Sequence, residues 1–220
     1  MQMTANDMGR MRNEPPVRSL LEEIGNAVTH GVGALLSIAG FVLLLLRSDT
    51  PAKLLASCFY GICLILLFTM SCLYHAFPQG STVKRLWRRF DYSSIYLLIG
   101  GSFAPLFLVY WGNALGRTLF IVQWAVIVAG ITLIGVFGPG RFRRLHLALY
   151  VALGWCGLMF LPDTIRNEPG LCAMILSGGV VYTLGIIPFR RHTKGAHFLW
   201  HFFVLGGALI QWFGIYLYVY

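Results

Sequence analysis

Apolar residues in this chain come in long unbroken runs, not in the alternation of a half-buried strand. Seven such runs, at about residues 28–46, 54–77, 92–111, 118–137, 145–161, 171–189 and 197–219, are separated by clusters of charged and turn-forming residues. A helix needs about 20 apolar residues to cross the ~30 Å hydrocarbon core of a bilayer. The pattern therefore predicts an all-α integral membrane protein, a bundle of seven transmembrane helices over residues 21–220, the fifth being the shortest. The linking clusters, 47–53, 78–89, 112–117, 138–144, 162–170 and 190–194, are short enough to make consecutive helices antiparallel neighbours. The pairs Gly100-Gly101, Gly178-Gly179 and Gly206-Gly207 read as surfaces for close helix approach. Pro105 and Pro188 are expected to kink or end their helices.

Composition sharpens this picture. Of 220 residues, 57% are hydrophobic and 11% charged, where a soluble domain carries about 25% charged, so a water-soluble globule is excluded. The net charge of +9 lies almost wholly outside the apolar runs, which makes nucleic acid an unexpected partner and membrane lipid the expected one. The tail and the second, fourth and sixth linkers hold 13 of the 17 Lys and Arg. Short basic loops are retained in the cytoplasm, so the N-terminus is expected inside and the C-terminus outside. That orientation is opposite to a G-protein-coupled receptor's, and the seventh run has no Lys to hold a retinal. No internal repeat of the transporter kind is evident. Residues 1–20 are polar, contain Pro15-Pro16 and lack the apolar core of a cleaved signal, so they are read as a disordered, non-cleaved cytoplasmic tail. The five cysteines form no C-x-x-C pair and read as small buried hydrophobes.

Ionisable residues at the ends of the runs carry the chemistry, because a membrane helix holds them only with a partner or in a wet cavity. Ser71 and His75 are spaced i, i+4 at the end of the second run, and His197 and His201 repeat that spacing at the start of the seventh. Asp91 precedes the third run. Glu23, Asn26 and His30 share a face where the first helix opens. Under the topology read from the basic residues, all four clusters fall at one membrane face. Three imidazoles with a carboxylate nearby are the ligand set of a catalytic zinc, whose fourth position is left for water. Each residue also has a plainer reading. Asp91 can be a helix N-cap, the histidines can be interfacial side chains beside Trp200, and Glu22 and Glu23 can be an acidic first turn. His146 and His192, among Arg143, Arg144, Arg190 and Arg191, are read as solvated loop residues and are left out of the site.

At these residues the chain resembles the hemolysin III family, the bacterial branch of the progestin and adipoQ receptor superfamily that includes the adiponectin receptors. The resemblance covers about residues 20–220. It rests on E22-E23-x-x-N26-x-x-x-H30-x-x-G33, S71-x-x-x-H75, F90-D91 followed by IYLLIGGSFAP, and H197-x-x-x-H201. Tyr92 departs from the pattern, in which His commonly follows the Asp. The resemblance implies Zn²⁺ held by His75, His197 and His201, with Asp91 acting on the water at the metal and Ser71 contacting the site. Glu23, Asn26 and His30 are candidate supporting residues around them. It also implies multi-pass residence in the bacterial cytoplasmic (inner) membrane.

Three function classes follow. The leading one is a zinc-dependent hydrolase acting on an acyl lipid, since eukaryotic relatives are linked to ceramidase-like amide cleavage. The second is a non-enzymatic membrane sensor or regulator with a structural zinc. The third is a pore-forming or cytolytic protein, as the family's name implies. The ligand set leaves the metal itself open, because imidazole also suits Fe, Cu and Ni.

Overall fold

The computed structural model describes residues 13–191 and 193–220. For residues 1–12, the expected disordered tail lies outside the described residues, as does His192. The described residues form seven helices, each long and apolar enough to span a membrane: α1 Leu20–Leu46, α2 Pro51–Ala76, α3 Thr82–Tyr110, α4 Ala114–Phe137, α5 Arg143–Asn167, α6 Pro169–Arg190 and α7 Ala196–Tyr218.

Most helix starts fall earlier than the apolar runs, because polar capping residues open the helices. Ser19, Thr50, Ser81 and Asn113 each accept a hydrogen bond from a backbone N–H three residues on, satisfying one of the orphan donors of a first turn. The largest correction is in α3. Residues 82–89, expected as loop because of Lys84, Arg85, Arg88 and Arg89, are helical, and the N-cap is Ser81. Asp91 lies well inside α3, so its reading as an N-cap is wrong.

The core is built of large apolar and aromatic side chains such as Tyr60, Phe68, Tyr96 and Phe107, whereas α1 buries mainly polar and small residues and turns large apolar ones outward, as lipid exposure allows. On α1 the buried stripe is Glu23, Asn26, His30, Gly33, Ser37, Gly40 and Leu44, at alternating spacings of three and four. Val28, Leu35 and Leu46 of the same helix are exposed. α1 packs on α2, α2 on α3 and α6 on α7, while α7 closes back on α1 and α4 lies against α3. Small residues make the closest approaches possible. A Cβ on Gly33 would stand 2.5 Å from the Phe68 ring of α2, and one on Gly101 would stand 2.5 Å from Cβ of Cys63.

Two helices are interrupted. In α3, Pro105 is followed by a π-helical stretch from Leu106 to Tyr110, consistent with the hydrogen bond that a proline removes. In α5, the α-helix stops at Gly154, passes through Trp155 and a 3₁₀ segment from Cys156 to Phe160, and resumes as Leu161–Asn167. Gln123 of α4 donates to the Leu153 carbonyl at this break, at 3.4 Å. Irregular backbone at membrane depth is tolerated where protein groups re-satisfy it.

Residues 13–19, the described part of the tail, cross the end of the bundle at which α1 begins. Asn13 donates to the Phe137 carbonyl at 2.9 Å and accepts from the Gly140 N–H at 3.0 Å, and Gln79 donates to the Pro15 carbonyl at 3.1 Å. Arg88 donates to the Glu14 carbonyl at 3.0 Å.

Candidate metal centre

Three helices converge at that same end. α2 delivers His75 one turn after Ser71. α7 starts from Gly195, whose φ of 75° turns the chain sharply into the helix, and presents His197 and His201 one turn apart. α1 supplies Glu23, Asn26 and His30. His75 and His201 are buried, with 2% and 1% of their surface exposed.

The three rings point their Nε2 atoms at one another. Nε2 of His197 lies 3.3 Å from Nε2 of His75 and 3.3 Å from Nε2 of His201. One ligating atom from each ring fits within 4.8 Å of the other two. The opposite nitrogens are already engaged. Nδ1 of His75 is 2.6 Å from a Glu23 carboxylate oxygen, and Nδ1 of His201 is 3.1 Å from the Asn26 carbonyl. Both partners are acceptors, so both Nδ1 atoms carry hydrogen and both Nε2 atoms offer lone pairs toward the cluster. The Asn26 amide also stands 3.4 Å from Nδ1 of His75, but the shorter bond to a charged carboxylate dominates.

Such an arrangement fits a metal ion. Tetrahedral ligands on bonds of about 2.0–2.1 Å stand roughly 3.4 Å apart, close to the spacings found. Without an ion, lone pairs on buried imidazoles would face each other with at most one proton, that of His197, to share between them. The carboxylate–histidine and carbonyl–histidine bonds are those that fix ring orientation and tautomer around metals.

Glu23 is held in turn. Its other oxygen lies 3.2 Å from the ammonium of Lys84, which is fully buried and also donates to the Tyr74 and Phe77 carbonyls at 3.1 and 3.0 Å. Arg18 lies 4.0 Å from the same oxygen. His30 stacks on His201 with ring centroids 3.7 Å apart.

A cavity of about 130 Å³ opens beside the cluster, where roughly 10–15 Å³ holds one water by this measure. Ser71, Asp91, His30, His197 and His201 line its polar end, where the Ser71 hydroxyl and the Asp91 carboxylate are neighbours. The rest of the wall is mainly apolar, with Leu98, Phe103, Ile186 and Val204 among its residues. Every residue singled out for the site in the sequence is thus gathered at this end of the bundle.

His146 requires a correction. It is not a solvated loop residue: α5 begins at Arg143, and His146 is 1% exposed with its Nδ1 2.9 Å from the Tyr96 hydroxyl. Lys84 and Arg18 were absent from the expected site. Lys84, Arg88 and Asp91 follow i, i+4, i+7, one face of a helix, and that spacing was the available signal for Lys84.

Residues 18–212 match the family described as "Haemolysin-III related". The chain belongs to this family. It is 34% identical over 203 residues to Hemolysin-3 of Bacillus cereus, covering 90% of this chain and 92% of that one. It is 30% identical over 205 residues to the Hemolysin-3 homolog of Bacillus subtilis (strain 168), covering 91% and 95%. A more distant likeness, 27% over 209 residues, is to the human Monocyte to macrophage differentiation factor, covering 90% and 85%. This member of the haemolysin-III family is therefore a seven-helix membrane protein with a histidine cluster suited to a metal ion.

Proposed function

We propose that the protein is a zinc-dependent hydrolase of acyl lipids in the bacterial cytoplasmic membrane, with its N-terminus and metal centre on the cytoplasmic side. The observation that carries this reading is the convergence of three Nε2 atoms beside an apolar cavity whose polar end holds Asp91 and Ser71. His75, His197 and His201 would hold the ion, with Glu23 and the Asn26 carbonyl orienting two of the rings. Zinc with three imidazole ligands lowers the pKa of a water in its fourth position to about 7 and polarises a carbonyl oxygen.

The chain's own groups supply the rest. The cavity takes the acyl tail between helices and keeps bulk water from the carbonyl. Hydrolysis adds one water across the acyl C–N or C–O bond. Asp91 accepts a proton from the attacking water and returns it to the departing amine or alcohol, leaving a fatty carboxylate. Ser71 holds Asp91 in position. The orientation rests on the basic linkers, which lie on the metal-centre side, as short cytoplasmic loops do.

Elemental analysis of purified protein, paired with a lipid amide and ester screen, tests this. About one zinc per chain is expected, lost in a His75→Ala, His197→Ala, His201→Ala triple variant. Asp91→Ala should keep zinc and lose turnover. A folded wild type without metal, or an Asp91→Ala variant with full turnover, overturns the reading.

The likeness to Hemolysin-3 supports a lytic alternative. Leakage of dye from liposomes carrying the metal-free protein would favour it over hydrolysis. Bound zinc without turnover on any acyl lipid would favour a metal that cross-links α2 and α7 in a sensor or regulator.

A further inference from the structure

A second, smaller cavity of about 40 Å³ lies farther along the bundle, lined by Trp111, Leu171 and Ile175 among others. The two cavities share Phe103, Gly154, Trp155, Gly179 and Gln211. They are therefore two sides of one wall. We propose that they are compartments of a single acyl-chain channel meeting at Trp155, and that the length of the whole channel sets the chain length the protein holds. The proposal rests on the acyl-lipid reading above, but it concerns the tail and not the metal.

Trp155 sits where α5 is interrupted, so its indole is not confined to a helix face. Its Nε1–H donates to the Thr183 hydroxyl at 3.1 Å, laying the ring across from α5 to α6. Thr183 is anchored by its own bond to the Gly179 carbonyl at 2.7 Å. The ring lies over Gly179 so closely that a Cβ there would stand 3.3 Å from it. A glycine is thus what lets the indole form the wall.

The lining of α6 gives the lengths. The first compartment runs from Phe189, level with His197, to Gly179, and the second from Gly179 to Leu171. At about 1.5 Å per residue these are roughly 15 Å and a further 12 Å. An extended alkyl chain built from C–C bonds of about 1.52 Å advances about 1.25 Å per carbon. By length the first compartment therefore holds about 12 carbons and the whole channel about 22, and the second, at about 40 Å³ against 130 Å³, widens as a chain enters it. A longer chain turns the indole off Thr183 and enters the second compartment.

Selection here is by fit. A tail already in the bilayer gains no hydrophobic free energy on entering an apolar cavity. A chain that stops short leaves wall atoms without contact partners, and one that is too long stays partly outside.

The test is to incubate purified wild type with an equimolar mixture of saturated fatty acids of about 10 to 20 carbons, then extract and quantify the bound acids by mass spectrometry. Wild type should enrich the longer acids, of about 16 to 20 carbons. Gly179→Leu fills the junction and should lower the bound ratio of long to short acids about tenfold, a modest penalty for overpacking a filled site. Trp155→Ala removes the wall and should shift the profile the other way, toward the longest acids. An unchanged profile in both variants, or no length preference in wild type, overturns the proposal. The profile is read on metal-free protein as well, where it should persist, so a failed hydrolase assay and a failed channel are separate results.

Discussion

Replacing Glu23 by Gln removes one charge from beneath the metal centre while keeping the side chain's size. In the native site the carboxylate accepts the His75 Nδ1 hydrogen at 2.6 Å and faces the buried Lys84 ammonium at 3.2 Å. The variant loses the charge-assisted bond, and its amide can turn its NH₂ group to His75, favouring the tautomer with hydrogen on Nε2. Disrupting such a supporting bond typically costs 10–100-fold in metal affinity, or about 1.4–2.7 kcal/mol. The lower end applies if the amide oxygen keeps facing His75, the upper if it flips. Lys84 is left without its carboxylate in a buried place, which destabilises the fold separately. A Glu23→Gln, Lys84→Met double variant separates the two effects by recovering thermal stability without recovering metal binding. Zinc affinity would be read by chelator competition on detergent-purified protein. A Glu23→Gln variant that folds and binds zinc within about twofold of wild type refutes the role given to Glu23.

Two further outcomes are expected. His146→Phe loses the Tyr96 bond and should lower thermal stability by about 1 kcal/mol, yet leave the metal content unchanged, which inductively coupled plasma measurement checks. Gly101→Val drives a side chain into Cys63 and toward the Phe59 carbonyl, 3.2 Å from where Cβ would stand. Overpacking of about 1–3 kcal/mol should show as a lower unfolding temperature in detergent, whereas Gly206→Ala, whose new methyl would meet Val181 at 3.8 Å and nothing closer among the described residues, should unfold at or slightly above the wild-type temperature.

The seven helices were legible because bilayer thickness imposes a run length that composition displays directly. The histidine cluster was legible because i, i+4 pairs on α2 and α7 point the same way whatever surrounds them. The start of α3 was not, since Lys84, Arg85, Arg88 and Arg89 look like a solvated loop. Only the fold reveals that Lys84 is enclosed by two carbonyls and Glu23. His146 was misjudged for the same reason: its arginine neighbours signal a helix end, while its own side chain turns inward to Tyr96. The interruption of α5 left no sequence signal beyond its short apolar run, because Gly154 and Trp155 acquire their meaning from Gln123, Thr183 and Gly179 on other helices.

The segment from Asn13 to Ser19 also has a consequence for how the protein is made. It leaves the ribosome before α1, but its anchor at Gly140 is synthesised 127 residues later. At about 5–20 residues per second it waits roughly 6–25 s for that partner. Docking of this segment is therefore a late step of assembly, completed only after α4 has been inserted.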